Sequence, residues 1–134
     1  MFEQFPVVAS FTGLPHSPDV STGDAKRFSS EIRKEAEKGP NFAGHFTIAK
    51  WGCGSGCISW AIIDAATGKV WPAPFTVSGT GCGDSAEYCE QKIEFRINSE
   101  LIVVTGARNE KGAGHYFYRW HNGSLSLVQA SERK

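Results

Sequence analysis

The sequence predicts a mainly β domain with one N-terminal helix, an α+β fold in which two consecutive antiparallel β-meanders resemble propeller blades. Three observations carry this prediction. Residues 24–38 are the one segment with apolar side chains at helical spacing. Between residues 44 and 130, short alternating runs rich in β-branched and aromatic residues indicate antiparallel strands. Four cysteines in two closely spaced pairs are typical of two short-range disulfides.

The whole chain, residues 1–134, is expected to form a single domain. A domain of this length buries about two thirds of its unfolded surface, and the hydrophobic fraction of 40% is that of an ordinary globular protein. Residues 1–20 contain Pro6, Pro15 and Pro18 and have no regular period. They are therefore expected to form an extended arm that lies on the domain.

The predicted helix has one apolar stripe and charged residues on its other faces. Ser21 or Thr22 is expected to cap its start, and the Gly39–Pro40 pair to end it. The charged residues therefore indicate a solvent-exposed face rather than a binding patch. The apolar stripe consists of Ala25, Phe28, Ile32 and Ala36.

The first predicted β unit has strands at residues 46–49, 58–63 and 69–71. The second of these strands is apolar along most of its length and is expected to be buried on both faces. A turn over Asp64–Gly68 leads to the third strand, with Gly68 in a left-handed conformation that suits glycine.

The second predicted β unit has strands at residues 93–97, 101–105 and 116–120, and a last strand that begins near Leu125. The dipeptide Asn122–Gly123 predicts a type I′ turn between the last two strands. Each unit is thus a chain of hairpins, as in a propeller blade, although two units are too few to close a propeller.

The cysteines form two local pairs, Cys53 with Cys57 and Cys82 with Cys89. Of the three pairings that four cysteines allow, this one is favoured because glycines let so short a loop close. The spacing does not match a zinc ribbon or finger, and the segment after Cys57 has the pattern of a strand rather than the helix of a redox motif. The sequence therefore predicts two structural disulfides in an oxidising compartment.

Charge and hydropathy exclude several classes of partner. The formal net charge is zero, so the chain lacks the basic field that nucleic-acid binding needs. No apolar run reaches the roughly 18 residues of a membrane span. The opening residues Met1–Gln4 are interpreted as a start that replaces a removed leader peptide. The four histidines are scattered, and no cofactor or metal is expected.

Three segments between residues 39 and 70 carry a resemblance to known proteins: GPNFAGHF (39–46), WGCGSGC (51–57) and DAATGKV (64–70). Together they resemble a group of small, uncharacterised proteins exported by Gram-negative bacteria, with a looser echo at residues 93–128. The resemblance implies a periplasmic or secreted location and no particular chemistry. In size, compartment and architecture, the chain is also similar to periplasmic immunity proteins that neutralise cell-wall-degrading effectors of the type VI secretion system.

No catalytic residue is assigned from the sequence. The residues two before and two after Ser55 are cysteines, so the G-x-S-x-G pattern of a nucleophile elbow is not met. The enzymatic alternative is a small hydrolase in which His45, with Asp64 or Asp84 beside it, activates Ser55 or a cysteine. A disulfide between residues 53 and 57 would remove the cysteine nucleophile.

The favoured hypothesis is a non-enzymatic binding or inhibitory protein with a protein partner in the periplasm. A short cross-linked loop loses little entropy on binding, so the segment around the first cysteine pair is the expected contact surface. The loop before Cys89 would assist it. A structural envelope protein without a specific ligand is the remaining alternative. The predicted contact residues are Trp51, Gly54, Ser55, Gly56, Asp84 and Tyr88.

Overall fold

A computed structural model describes residues 1–7, 10–54, 56–79, 91–109 and 111–132. Within these ranges the domain is mainly β, with two α-helices and an antiparallel sheet, which confirms the predicted class. The predicted Cys53–Cys57 disulfide is present. The predicted Cys82–Cys89 disulfide lies outside the described residues.

All the strands of the described ranges belong to one antiparallel sheet. The sheet runs in the order β1-β2-β4-β6-β7-β8, while β3 pairs with β2 and β5 pairs with β6. The strands are β1 Phe46–Gly52, β2 Cys57–Asp64, β3 Val70–Pro72, β4 Val77–Ser78, β5 Lys92–Glu94, β6 Leu101–Arg108, β7 Lys111–His121 and β8 Ser124–Glu132.

The two predicted β units are joined through β4, a strand that the sequence pattern does not reveal. Val77 pairs with Ile58 of β2 on one side and with Arg108 of β6 on the other. The units therefore share hydrogen bonds in one sheet, and the likeness to separate propeller blades is not confirmed. The strand predicted at 93–97 is shorter than expected, because β5 ends at Glu94.

The single helix predicted over residues 24–38 is instead two helices, α1 Gly23–Arg27 and α2 Ser29–Ala36. The break falls at Phe28, whose backbone leaves helical geometry (φ −108°, ψ 30°) while its ring packs 5.2 Å from that of Trp51. Thr22 occupies the N-cap position of α1, but its side chain makes no capping hydrogen bond. None of the helices in the described ranges is long and apolar enough to cross a bilayer.

The sheet buries side chains on both faces, as the alternation of a strand requires. In β1, Ile48 enters the larger core and its neighbour Ala49 enters the smaller one. The smaller core lies between α2 and the first two strands, where Ala49 and Ile63 meet Ile32. The larger core is formed chiefly by Phe42, Trp60, Ile62, Val77, Ile102, Val104, Tyr116, Tyr118 and Trp120.

The N-terminal segment is held against the domain by backbone hydrogen bonds. It begins with a short 3-10 helix, Phe2–Gln4. Further along, His16 N–H donates to Ala65 O at 2.8 Å, and Asp19 N–H donates to Gly68 O at 2.7 Å. The end of the segment is therefore fixed to the turn that joins β2 to β3.

Two turns have the local geometry that the sequence predicts. Gly68 has φ of 85°, in the left-handed region that favours glycine. Asn122 and Gly123 have φ of 51° and 72°, and positive φ at both central residues is what a type I′ hairpin requires. This hairpin joins β7 to β8 at the end of the sheet where one of the two clefts described below lies.

Candidate functional site

The first candidate site is the connection between β1 and β2, which we call the cystine loop (residues 52–57). The Cys53–Cys57 disulfide closes it, with the two Cα atoms 5.1 Å apart. Cys53 N–H donates to Cys57 O at 3.1 Å, and Cys57 N–H donates to Gly54 O at 3.2 Å. The loop is therefore cross-linked both covalently and through its backbone.

Two of the three glycines of the cystine loop are required by its backbone. Gly54 and Gly56 have φ of 124° and 66°, values that residues with a β-carbon rarely adopt. Gly56 O also accepts a hydrogen bond from Gly79 N–H at 3.0 Å. This bond ties the loop to the segment that follows β4. Gly52, Cys53 and Gly54 are nevertheless exposed to solvent.

The structure describes some of the predicted contact residues and not others. Gly54 and Gly56 lie in the cystine loop, and Trp51 lies at its base on β1. Trp51 is half-buried rather than freely exposed, because its ring packs against Phe28 of the break between the helices. Ser55, Asp84 and Tyr88 lie outside the described residues.

A cleft of about 380 Å³, which we call the loop cleft, adjoins the cystine loop. Its lining combines aromatic rings with one acid, one base and one amide. The indole Nε1 of Trp51 is buried and has no hydrogen-bond partner among the described residues. The residues that define this cleft here are Asp24, Arg27, Trp51, Cys53, Phe75 and Asn109.

A second cleft, of about 420 Å³, lies at the other end of β1 and β2, and we call it the histidine cleft. Its lining comes from the start of β1, the end of β2 and the turn of the β7–β8 hairpin. Its lining brings two histidines and two carboxylates to one apolar wall. The residues that define it here are His45, Asp64, Trp71, Glu100, Trp120 and His121.

His45 and Asp64 form a close pair in the histidine cleft. His45 Nδ1 lies 2.9 Å from Asp64 Oδ1, and the same oxygen accepts the Ala66 N–H at 2.9 Å. An ionised carboxylate only accepts hydrogen bonds, so Nδ1 carries the proton and a neutral His45 has Nε2 as an acceptor. The sequence raised His45 beside Asp64 as a possibility, and the register Phe46–Asp64 of β1 and β2 explains why they meet.

Glu100 is the second carboxylate of the histidine cleft, and it holds two side chains of β7. Arg119 Nε donates to Glu100 Oε1 at 3.1 Å. His121 Nδ1 lies 3.4 Å from the same carboxylate. The Glu100 side chain is only 12% exposed, whereas the Arg119 side chain is 43% exposed. Arg119 thus neutralises the formal charge of Glu100.

Aromatic rings form the wall of the histidine cleft. The rings of Trp71 and Trp120 meet edge to face with centroids 5.1 Å apart, and Phe46 meets Trp120 in the same way at 5.6 Å. Trp120 is almost fully buried, and its Nε1 has no hydrogen-bond partner among the described residues. Trp71 is half-buried, so one rim of this wall is open to solvent.

The chemistry of a hydrolase built on His45 does not assemble in the described part of the chain. Cys53 and Cys57 are joined, so neither supplies a thiolate. His45 precedes β1 and Cys53 follows it, which separates them by roughly 25 Å at the rise of a β-strand. No serine, threonine or cysteine is among the described residues that line the histidine cleft. The described residues of the chain also contain no group of three side chains placed to hold a metal ion.

Sequence reasoning did not find the contribution of Glu100 and His121 to the histidine cleft. Glu100 lies between the strands predicted at 93–97 and 101–105, and His121 lies between the strand predicted at 116–120 and the Asn122–Gly123 turn. The one local signal was the Asn122–Gly123 turn, which places His121 at the end of a strand. The pairing of β6 with β7, which sets Leu101 opposite Arg119, is what brings Glu100 to this cleft.

Comparison of the chain with protein families, with curated proteins and with solved structures gives no match. The resemblance of residues 39–70 to exported proteins of Gram-negative bacteria therefore stays a prediction.

Proposed function

We propose that this domain is a non-enzymatic binding protein of an oxidising compartment, periplasmic or secreted, that contacts a protein partner through the cystine loop. The observation that carries the proposal is that an exposed loop is fixed by a disulfide and by three backbone hydrogen bonds. Such a loop is a preformed contact surface.

The energetic basis is preorganisation. Ordering the backbone of a free residue costs about 1–2 kcal/mol. In the cystine loop, the disulfide and the hydrogen bonds order the backbone when the domain folds. The entropy of ordering is therefore lost before the partner binds. Binding free energy is then not spent on ordering the loop, which favours a tight complex with a modest contact area.

The loop cleft is a concave surface next to the projecting cystine loop. Its acid, base and amide (Asp24, Arg27 and Asn109) offer polar contacts beside the rings of Trp51 and Phe75. A side chain of the partner would enter this cleft while the loop enters a depression of the partner. Side chains that dominate binding free energy tend to lie in well-packed, desolvated pockets of this kind.

The partner class that we propose is an enzyme that acts on the cell wall, with the domain as its inhibitor or immunity protein. The disulfide supports the compartment, since such bonds persist outside the reducing cytosol. Cell-wall hydrolases work in that same compartment. A rigid loop that enters a cleft is a general way to block a polymer-cleaving enzyme.

The test places bulk on the loop without disturbing its backbone. Gly52 is exposed, its φ lies outside the left-handed region, and a β-carbon there meets nothing within 4 Å. We therefore choose Gly52→Trp, rather than a change at Gly54 or Gly56, where strain would alter the loop. Ser126→Trp on the exposed part of β8 is the matched control.

Immobilised wild-type and control domains are expected to retain the same cell-wall hydrolase from a periplasmic extract, and purified wild-type domain is expected to inhibit it. Gly52→Trp should lose both properties and keep its melting temperature. Retention of the hydrolase by Gly52→Trp would refute the loop as the contact surface. Failure of the wild type to retain or inhibit any such enzyme would favour the structural envelope alternative.

A further inference from the structure

The polar groups that face the histidine cleft are mostly hydrogen-bond acceptors. Asp64 uses Oδ1 for both of its bonds, and Oδ2 has no partner in the described part of the chain. In its neutral form, His45 has Nε2 as a further acceptor, because Nδ1–H faces Asp64. A ligand that matches this set must present several donors at once.

The formal charges at the histidine cleft cancel. Asp64 and Glu100 bring two negative charges. Arg119 is paired with Glu100 at 3.1 Å, and Lys69 Nζ lies 5.0 Å over the ring of Trp71. The two carboxylates and the two cations beside them sum to zero formal charge, which favours an uncharged ligand. The ligand that matches is uncharged.

The aromatic wall of the histidine cleft restricts the class of ligand further. The half-buried ring of Trp71, beside Phe46 and Trp120, offers aromatic surface next to the acceptors. A ligand with hydroxyl groups on its edges and C–H groups on its face fits both features. The volume of about 420 Å³ falls within the range of roughly 300–1,000 Å³ that small-molecule sites occupy.

We propose that the histidine cleft is a binding site for a neutral saccharide, a mono- or disaccharide or the end of a longer glycan. Hydroxyl groups of the sugar donate to Asp64 Oδ2 and to His45 Nε2, and its ring packs along Trp71. Glu100 positions His121 at the rim. The site is independent of the cystine loop, which lies at the other end of β1.

Two other ligand classes are less compatible with these residues. A phosphate or carboxylate ligand would face Asp64, and no arginine or lysine is among the described residues that line the histidine cleft. A quaternary ammonium group has no N–H, so it cannot donate to the acceptors Asp64 Oδ2 and His45 Nε2.

The experiment is a titration of the ¹⁵N-labelled domain with cellobiose, maltose and N,N′-diacetylchitobiose, followed by amide and indole chemical shifts. Choline and inorganic phosphate serve as comparison ligands. Concentrations up to about 10 mM exceed the ~1 mM dissociation constant of a weak complex. At least one sugar is expected to shift the amides of His45, Asn122 and Gly123 and the indole signal of Trp71. The amides of the cystine loop should stay in place.

Variants separate a specific site from a general surface effect. Asp64→Asn and Trp71→Leu should each weaken sugar binding about ten-fold or more, since each removes a direct contact. Asp24→Asn makes the same chemical change in the loop cleft and should leave the affinity unchanged. The spectrum of each variant shows whether it is folded, and His45→Phe, which removes the acceptor Nε2, replaces either one that is not, with the same expected loss.

The saccharide site is refuted if none of the three sugars shifts the cleft signals. It is also refuted if choline or phosphate shifts them while the sugars do not, or if the sugars act elsewhere on the domain. None of these results bears on the cystine loop, because Gly52→Trp tests that surface separately.

Discussion

Gly68 lies directly against the backbone of Ser17, so that a β-carbon at residue 68 would overlap the Ser17 carbonyl oxygen. Gly68 also has φ of 85°. The turn between β2 and β3 thus meets the N-terminal segment at a contact that excludes every side chain. The hydrogen bond from Asp19 N–H to Gly68 O joins the same turn to the same N-terminal segment.

We expect Gly68→Ala to lower the free energy of unfolding by about 2–4 kcal/mol, from left-handed strain and from overpacking together. Gly39→Ala is the matched control, because Gly39 has φ of 83° and nothing within 4 Å of a β-carbon. It should cost only about 1 kcal/mol, from backbone strain alone. Urea denaturation measures both. Equal losses would mean that the N-terminal segment is not docked against this turn in solution.

Replacement of both Cys53 and Cys57 by serine should lower stability only moderately. A loop this short contributes about 2 kcal/mol in the chain-entropy estimate, which corresponds to a fall of about 5–10 °C in melting temperature for a domain of this size. Partner affinity should fall about ten-fold or more, because the freed loop must be ordered on binding. Unchanged affinity in a folded double variant would show that the rigidity of the loop is irrelevant to binding.

The two tryptophans Trp51 and Trp60 should respond differently to replacement by phenylalanine. Trp60 is 2% exposed and its Nε1–H donates to Phe75 O at 3.0 Å. Trp60→Phe leaves that carbonyl without its donor and opens a cavity, at a cost of about 2–3 kcal/mol. Trp51→Phe removes a buried donor that has no partner among the described residues, so the change should stay within about 1 kcal/mol. A large loss for Trp51→Phe in urea denaturation would reveal an acceptor for its indole.

Asp64 should tolerate asparagine better than alanine. Its Oδ1 accepts the Ala66 N–H, and an asparagine oxygen can keep that bond. We expect Asp64→Asn to cost about 1 kcal/mol or less, and Asp64→Ala to cost about 1–3 kcal/mol because Ala66 N–H and His45 then lose their acceptor. Chemical denaturation of both variants measures the difference. Equal destabilisation would mean that Asp64 acts through its charge on His45 rather than through the turn.

The features that the sequence predicted are those that depend on neighbouring residues. Asn122–Gly123 forms the expected hairpin because the turn type depends on the φ values that these two residues accept. Gly68 and the Cys53–Cys57 pair are equally local. The apolar run at the centre of β2 is buried as expected, since Trp60, Ala61, Ile62 and Ile63 are each at most 2% exposed.

The features that were missed depend on contacts between distant residues. β4 has two residues, too few for a period, and exists because Val77 and Ser78 bridge β2 and β6. The helix breaks at Phe28, whose ring packs against Trp51 of β1, a contact that the helical pattern does not contain. The histidine cleft joins Asp64 to Glu100 and His121, and only the strand order brings them together.

Amide hydrogen exchange on the purified complex with the captured partner shows whether the cystine loop is the contact surface. We predict that the partner slows exchange at residues 52–57 and in the lining of the loop cleft, and leaves β8 and the histidine cleft unchanged. Protection confined to β8 or to the histidine cleft, with the cystine loop exchanging as in the free domain, would contradict the account.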